Sequence, residues 1–219
     1  MLTVVKVGGG LGDEALPGLC AALGELGRRH RLLVVPGGAG FADAVRDADR
    51  RFGLHADTAH RMAILGMEQF GWLLSDLIPG AERCTDPARA RTGRASVLLP
   101  AGLPLDALPA SWQVTSDSIA AWVAGQAGAE RLVLVKDVDG LYAERPGGGE
   151  PLARLTVAEL AALRSEGVDE YLATALERAR FETWVIGGRD PERLVELLER
   201  GTTAGTRIGS GPLLPWPHG

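Results

Sequence analysis

Short unbroken apolar runs alternate with longer amphipathic stretches along almost the whole chain. Residues 2–7, 31–35, 95–100, 131–136 and 183–186 are runs of the first kind and read as buried strands. Between them, residues 13–29 carry Leu16, Leu19, Leu23 and Leu26 at helical spacing, and residues 40–52 pair an apolar face with a charged one. Residues 57–78 form the longest helical pattern. Ala63, Met67, Phe70, Leu74 and Leu77 make one stripe, widened by Met62, Leu65, Gln69 and Leu73. A helix apolar on two sides is predicted to be buried, either as an ordinary core helix or partly against a second subunit. Further helices are predicted over 116–126, 156–165 with Thr156 as cap, 168–180, and 191–199 with Asp190 as cap; Thr202 to Arg207 leads to a last short strand. Such alternation predicts an α/β protein, a three-layer α/β/α sandwich with a mainly parallel central sheet.

At 219 residues the chain fits one sizeable domain or two closely joined lobes. The proline-rich stretch from Leu103 to Ser111 is the best lobe boundary, Pro146 to Gly149 reads as a loop, and residues 212–219 as a peripheral tail. With 46% hydrophobic residues there is enough apolar material for a full core. The net charge is −5 with no basic run, which argues against a nucleic-acid partner. No apolar run reaches the roughly 18 residues of a membrane helix. The N-terminus enters a strand directly, without a signal-like segment, so a cytoplasmic protein is expected. Cys20 and Cys84 show no metal-ligand spacing.

Two glycine-rich turns, each directly after an apolar strand, change the picture from fold to chemistry. The first is Gly8-Gly9-Gly10 after Val7; the second is Gly37-Gly38-Ala39-Gly40 after Pro36. A buried parallel strand ending in glycines before a helix lets backbone N–H groups approach an anion closely. Lys6 lies in the first strand and is one of only two lysines in the chain, the other being Lys136. A lysine there is costly without an anion to meet, and its ammonium is a compact charge suited to a phosphate oxygen. The bland reading is a lysine whose head reaches solvent. Thr115-Ser116-Asp117-Ser118 sits where a loop becomes a helix: Asp117 is placed to hold Lys6, or the segment is simply a cap. Lys136-Asp137-Val138-Asp139-Gly140-Leu141-Tyr142 follows a buried strand, where α/β sheets bind ligands, or is a plain Asp-Gly turn.

In this order the turns resemble the amino acid kinase superfamily. Phe41 to Arg46, Ala59 to Ile64, Trp112 to Ser118, Asp137 to Tyr142 and Gly187 to Arg193 look like the family within it that acts in methanofuran biosynthesis. Kinases of that family phosphorylate [5-(aminomethyl)furan-3-yl]methyl phosphate to the diphosphate. The resemblance implies an ATP-dependent kinase, with Mg²⁺ held mostly by phosphates and waters and no dedicated metal ligands. It implies Lys6 and Asp117 as the catalytic pair. Gly8, Gly9, Gly10, Lys136, Asp137, Asp139, Gly140, Tyr142, Gly187 and Arg189 would hold the nucleotide. Gly37, Gly38, Arg46, Asp57, His60 and Ser116 would hold the acceptor. Residues of about 1–108 would then be the acceptor half and about 109–211 the nucleotide half of a homodimer or larger homo-oligomer.

Alternatives stay open. The same scaffold serves other small-molecule kinases, such as isopentenyl phosphate kinases, and non-catalytic anion binders of the molybdenum-storage type. His60 is an acceptor contact or a structural histidine; Asp57 pairs a substrate ammonium or caps its helix. Two departures from the superfamily pattern stand out. Gly10 replaces a serine, and no lysine follows Lys136 to act as a second catalytic cation. Arg178, Arg180, Arg189 or Lys136 itself are the candidates for that charge.

Overall fold

The structure, a computed structural model, describes residues 1–90, 92–144, 149–163 and 167–209. Five longer or central strands appear where the apolar runs predict them: β1 (Leu2–Val7), β2 (Arg31–Pro36), β4 (Ser96–Leu98), β5 (Arg131–Lys136) and β7 (Glu182–Gly187). With β3 (Glu82–Cys84), β6 (Arg154–Thr156) and β8 (Thr206–Gly209) they make one eight-stranded sheet in the order β3-β4-β2-β1-β5-β7-β8-β6. Every neighbouring pair is parallel except β7 with β8.

Side-chain alternation along the central strands divides the core in two. Leu2, Val4, Leu132 and Leu134 face α4 (Ser116–Gln126), α5 (Val157–Ala162) and α6 (Leu172–Leu176), packing with Ile119, Leu160 and Leu172. Val5, Val7, Val133 and Val135 face the other way, onto Leu19 and Leu23 of α1 (Leu16–Arg29) and Leu194 and Leu197 of α7 (Glu192–Arg200). The result is the α/β/α sandwich that the alternation of runs predicts. α2 (Ala39–Phe52) and α3 (Ala56–Leu77) pack against each other beside β2. No helix among the described residues is long and apolar enough to cross a membrane.

The differences from expectation are local. α1 begins at Leu16 rather than residue 13, with proline in its first turn. The run 95–100 is strand only over Ser96–Leu98, because Pro100 opens a 3₁₀ turn. Of the helix expected over 168–180, only Leu172–Leu176 is α-helical, since Asp169 is turned toward a different helix. β3 and β6, three residues each, carry too little pattern to be read. α3 buries Ile64, Met67, Phe70 and Leu74, but Leu65, Trp72, Leu73 and Leu77 stand at least 39% exposed, so its second apolar side is open in the single chain. Residues 146–148 of the expected loop, the end of the helix expected over 156–165, and the 212–219 tail lie outside the described residues.

Candidate active site

The register of the central strands sets the site. Lys6 of β1 pairs with Leu134 of β5, so Lys136 lies two residues further along and on the same face. That face continues Leu2 and Val4 on one strand and Leu132 and Leu134 on the other, toward α4. α4 answers with Asp117 in its first turn. One Asp117 oxygen, Oδ1, meets Lys6 Nζ at 2.8 Å; the other, Oδ2, accepts from Lys136 Nζ at 2.7 Å. The Lys6 and Asp117 side chains are 4% and 2% exposed, and Lys136, nearer the opening, 15%. Burial pushes the Lys6 ammonium down to about 8, with the Lys136 charge adding to the effect and Asp117 opposing it. Burial alone would raise the Asp117 carboxyl, but the two ammonium groups outweigh it and hold Asp117 far below the usual carboxylate range.

Asp169 is the residue that sequence reasoning missed. Its carboxylate accepts from the Thr115 N–H at 2.8 Å, the Thr115 hydroxyl at 2.9 Å, the Ser118 N–H at 3.0 Å and the Ser118 hydroxyl. It thereby caps α4 from a segment more than fifty residues away. Thr115 is the N-cap residue but makes no capping bond with its own side chain, so the cap reading of Thr115-Ser116-Asp117 is replaced by this distant carboxylate. Asp117 is left free for the lysines. The Asp169 N–H also donates to Asp117 Oδ2, at 3.3 Å. Nothing in the run Gly167-Val168-Asp169-Glu170 signals this role, which depends on a tertiary contact.

The glycine turns continue the strands and then meet. The Gly8 N–H donates to the Val135 carbonyl and the Gly37 N–H to the Val7 carbonyl, both at 2.9 Å. A Cβ on Gly37 would stand 2.9 Å from the Gly9 nitrogen. Beside them opens a cavity of about 1480 Å³. Lys6, Gly9, Gly10 and Lys136 line its floor; Gly38, Arg46 and His60 line one wall, and Ser116 and Asp169 another.

On the first wall the Arg46 guanidinium lies 4.9 Å over the Trp112 ring and donates to Asp43 at 2.9 Å. Trp112 is fixed in turn by its Nε1–H, which donates to Asp49 Oδ2 at 2.7 Å. Neither Trp112 nor Asp49 was assigned a role from the sequence. The imidazole of His60 is pushed below its ordinary value by burial, with Asp57 opposing and Arg61 adding, so it is neutral at pH 7. Its Nε2 is buried with no hydrogen-bond partner among the described residues. Asp57 lies in an adjoining cavity of about 550 Å³ that His60 also lines. The N-cap of α3 is His55, so Asp57 is not the cap.

The second-half turns lie outside the main cavity lining. Asp137 faces Gly10, where a Cβ would come 3.3 Å from its carboxylate. A larger side chain at Gly10 would require the exposed Asp137 carboxylate to shift. Asp139 accepts from Arg193 Nη1 at 2.8 Å. Gly187 packs behind that pair, and Gly140 packs on Thr206. Tyr142 is half-buried and Arg189 exposed.

A parallel α/β sheet whose strand ends present two joined glycine turns and a carboxylate-tethered pair of lysines has the parts of a phosphotransferase. The comparisons give the class a family. The amino acid kinase family model matches residues 1–183, and the chain belongs to that family. It is 29% identical over 212 residues to the [5-(aminomethyl)furan-3-yl]methyl phosphate kinase of Methanocaldococcus jannaschii, covering 94% of this chain and 96% of the relative. It is 25% identical to the uridylate kinase of Methanosarcina barkeri, covering 96% and 97% of the two chains. The crystal structure of uridylate kinase from Archaeoglobus fulgidus shares the fold with a TM-score of 0.75 at 21% identity, covering 95% of this chain and all of that one.

Proposed function

We propose that this chain transfers the γ-phosphoryl group of ATP to the phosphate of a small phosphorylated alcohol, [5-(aminomethyl)furan-3-yl]methyl phosphate, giving the diphosphate and ADP. The observation that carries the kinase chemistry is Asp117 holding Lys6 at the junction of two glycine turns. The acceptor rests on the likeness to the furan phosphate kinase over nearly the whole chain, and on Arg46 placed over Trp112 beside the second turn. UMP is the rival acceptor, favoured by the likeness to uridylate kinases.

ATP suits the cradle because Gly8, Gly9 and Gly37 leave no room for side chains, which lets backbone N–H groups come close to phosphate. Bound with Mg²⁺, it supplies the transferable phosphoryl group. Mg²⁺ would be carried mostly by the phosphates and by water. Lys6 neutralises charge on the phosphoryl oxygens in the transition state. Asp117 orients Lys6 and stays ionised throughout. The attacking group is a phosphate oxygen, already anionic, so no general base is required. The acceptor occupies the first half, near Gly37, Gly38, Arg46, His60 and Ser116. The nucleotide occupies the second half, near the Lys136–Tyr142 turn, Gly187 and Arg189. The open apolar side of α3 is the surface we assign to a second copy in a cytoplasmic homodimer.

The test is an acceptor panel with product masses read directly: the aminomethylfuran phosphate, UMP, isopentenyl phosphate, carbamate and acetylglutamate, each with ATP. A new diphosphate of the furan alone is expected. Turnover of UMP alone would replace the acceptor and keep the chemistry. ATP bound but never consumed would make the protein an anion binder.

A further inference from the structure

Two ammonium groups from neighbouring strands meet at the cavity floor. Asp117 is a single carboxylate shared between two ammonium groups, one on each oxygen. Asp169 stands in the same field, but its carboxylate is occupied by four donors at the start of α4. The two lysines therefore share one directly bonded carboxylate, and both line the cavity beside Gly9 and Gly10. Each ammonium carries three N–H donors, more than one shared carboxylate takes up, so the cluster is placed to meet an anion in the cavity.

We propose that Lys136 is the second catalytic cation of this kinase, supplied from the end of β5, and that it contacts the phosphoryl group being transferred together with Lys6. The inference rests on the phosphotransferase reading of the same site. The arginines named as candidates for this charge do not compete. Arg178, Arg180 and Arg189 are all exposed, and none lines the cavity. The sheet also explains why this position suits the task. Lys136 is two residues beyond the partner of Lys6 on the adjacent strand, so the two ammonium groups reach one carboxylate from neighbouring strands and present their free N–H donors to the same space. Two cations held apart by a fixed anion stabilise spreading negative charge without reorganising, which is the condition under which such groups accelerate phosphoryl transfer most.

The chain's two lysines make the test direct. Protein labelled with ¹³C at lysine Cε gives two lysine signals, assigned by Lys6→Met and Lys136→Met. Adding a non-hydrolysable ATP analogue with Mg²⁺ should shift both signals and raise the pH at which each titrates, whatever the acceptor proves to be. A Lys136 signal that ignores the nucleotide overturns the proposal. In Lys136→Met, Lys6 should titrate at higher pH than in wild type, because a facing positive charge is gone while Asp117 and Asp169 remain; that shift locates the two ammonium groups in one field, and the nucleotide response of Lys136 and the kinetics carry the test. With any acceptor the wild type accepts, Lys136→Met should lose roughly 10²–10³ in kcat with nucleotide affinity changed by less than about fivefold, and Lys136→Arg should recover part of the loss. A kcat within about threefold of wild type also overturns it. Loss of the acceptor reading alone, with UMP used instead, would leave every one of these outcomes readable.

Discussion

A Cβ placed on Gly9 would stand 2.3 Å from the backbone nitrogen of Ala39. The turns after β1 and β2 are therefore not two separate cradles but one surface, joined backbone to backbone. Ala39 itself takes a left-handed conformation, φ +45°, to complete that contact. A non-glycine residue held there is strained by on the order of 1 kcal/mol, and such strain persists only where the surroundings fix it.

Gly9→Ala should therefore damage both turns at once. The new methyl group meets main chain, which does not move aside cheaply, so stability should fall by about 1–3 kcal/mol and affinity for ATP should fall with it. Ala39→Gly is the control. It relieves the strained φ but frees the unfolded chain, and the two effects offset to within about 1 kcal/mol. Urea unfolding of both variants with an ATP titration checks the pair. Equal, small effects would mean that the turns are not in contact.

Lys6 sets an expected pH limit. Its ammonium is pushed down to about 8 in the free protein, and it must be charged to meet phosphate. kcat/KM for ATP reports the free enzyme, so it should be level near pH 7 and fall about tenfold per pH unit well above 8. Lys6→Met should remain folded, because Asp117 keeps Lys136, and should turn over roughly 10²–10³ more slowly with no such limb. A wild-type profile level to pH 10 would show that Lys6 is not the titrating group.

Asp117→Asn tests the same cluster through stability. Removing the carboxylate leaves two ammonium groups facing each other in the interior, at a cost of about 3–5 kcal/mol at pH 7. Lys6 titrates lower folded than its ordinary 10.5, so between those values the folded chain binds fewer protons and stability rises with pH. Without Asp117 that window opens at lower pH. The deficit against wild type should shrink between pH 7 and pH 9. Urea midpoints at both pH values measure it, and a deficit that is the same at both would separate Asp117 from the lysine charges.

The parts of this site that follow from strand ends were legible in the sequence, and the parts that depend on distant contacts were not. An apolar run ending in glycines fixes where Gly9 and Gly38 lie, and an isolated lysine in such a run has few places to go; Lys6 and Asp117 meet accordingly. The sequence left the second cation open between Lys136 and three arginines, because the choice turns on the β1–β5 register, which no local pattern encodes. Asp169 was hidden for a related reason. It lies in a stretch with helical spacing, yet it is drawn out of helix by four donors on α4. The apolar stripe of α3 named the right helix but misjudged its sides: Leu74 is fully buried while Leu77 is 39% exposed.

Arg46 carries the last prediction, which concerns the acceptor. The guanidinium rests on the Trp112 ring, Trp112 is pinned by Asp49, and Arg46 lines the cavity with more N–H donors than the Asp43 contact uses. A charge-assisted contact to an acceptor phosphate is worth about 1.5–3 kcal/mol, or about tenfold or more in affinity. Arg46→Ala should raise KM for the phosphorylated acceptor by at least that factor while KM for ATP changes less than about twofold. Arg46→Lys should recover little, since an ammonium neither stacks on the ring nor offers a fork. Trp112→Leu, with Arg46 intact, should produce a smaller rise in the same constant because the arginine loses its platform. Steady-state kinetics on the three variants decide the point. A rise in KM for ATP equal to that for the acceptor would place Arg46 at the nucleotide and exchange the roles of the two halves.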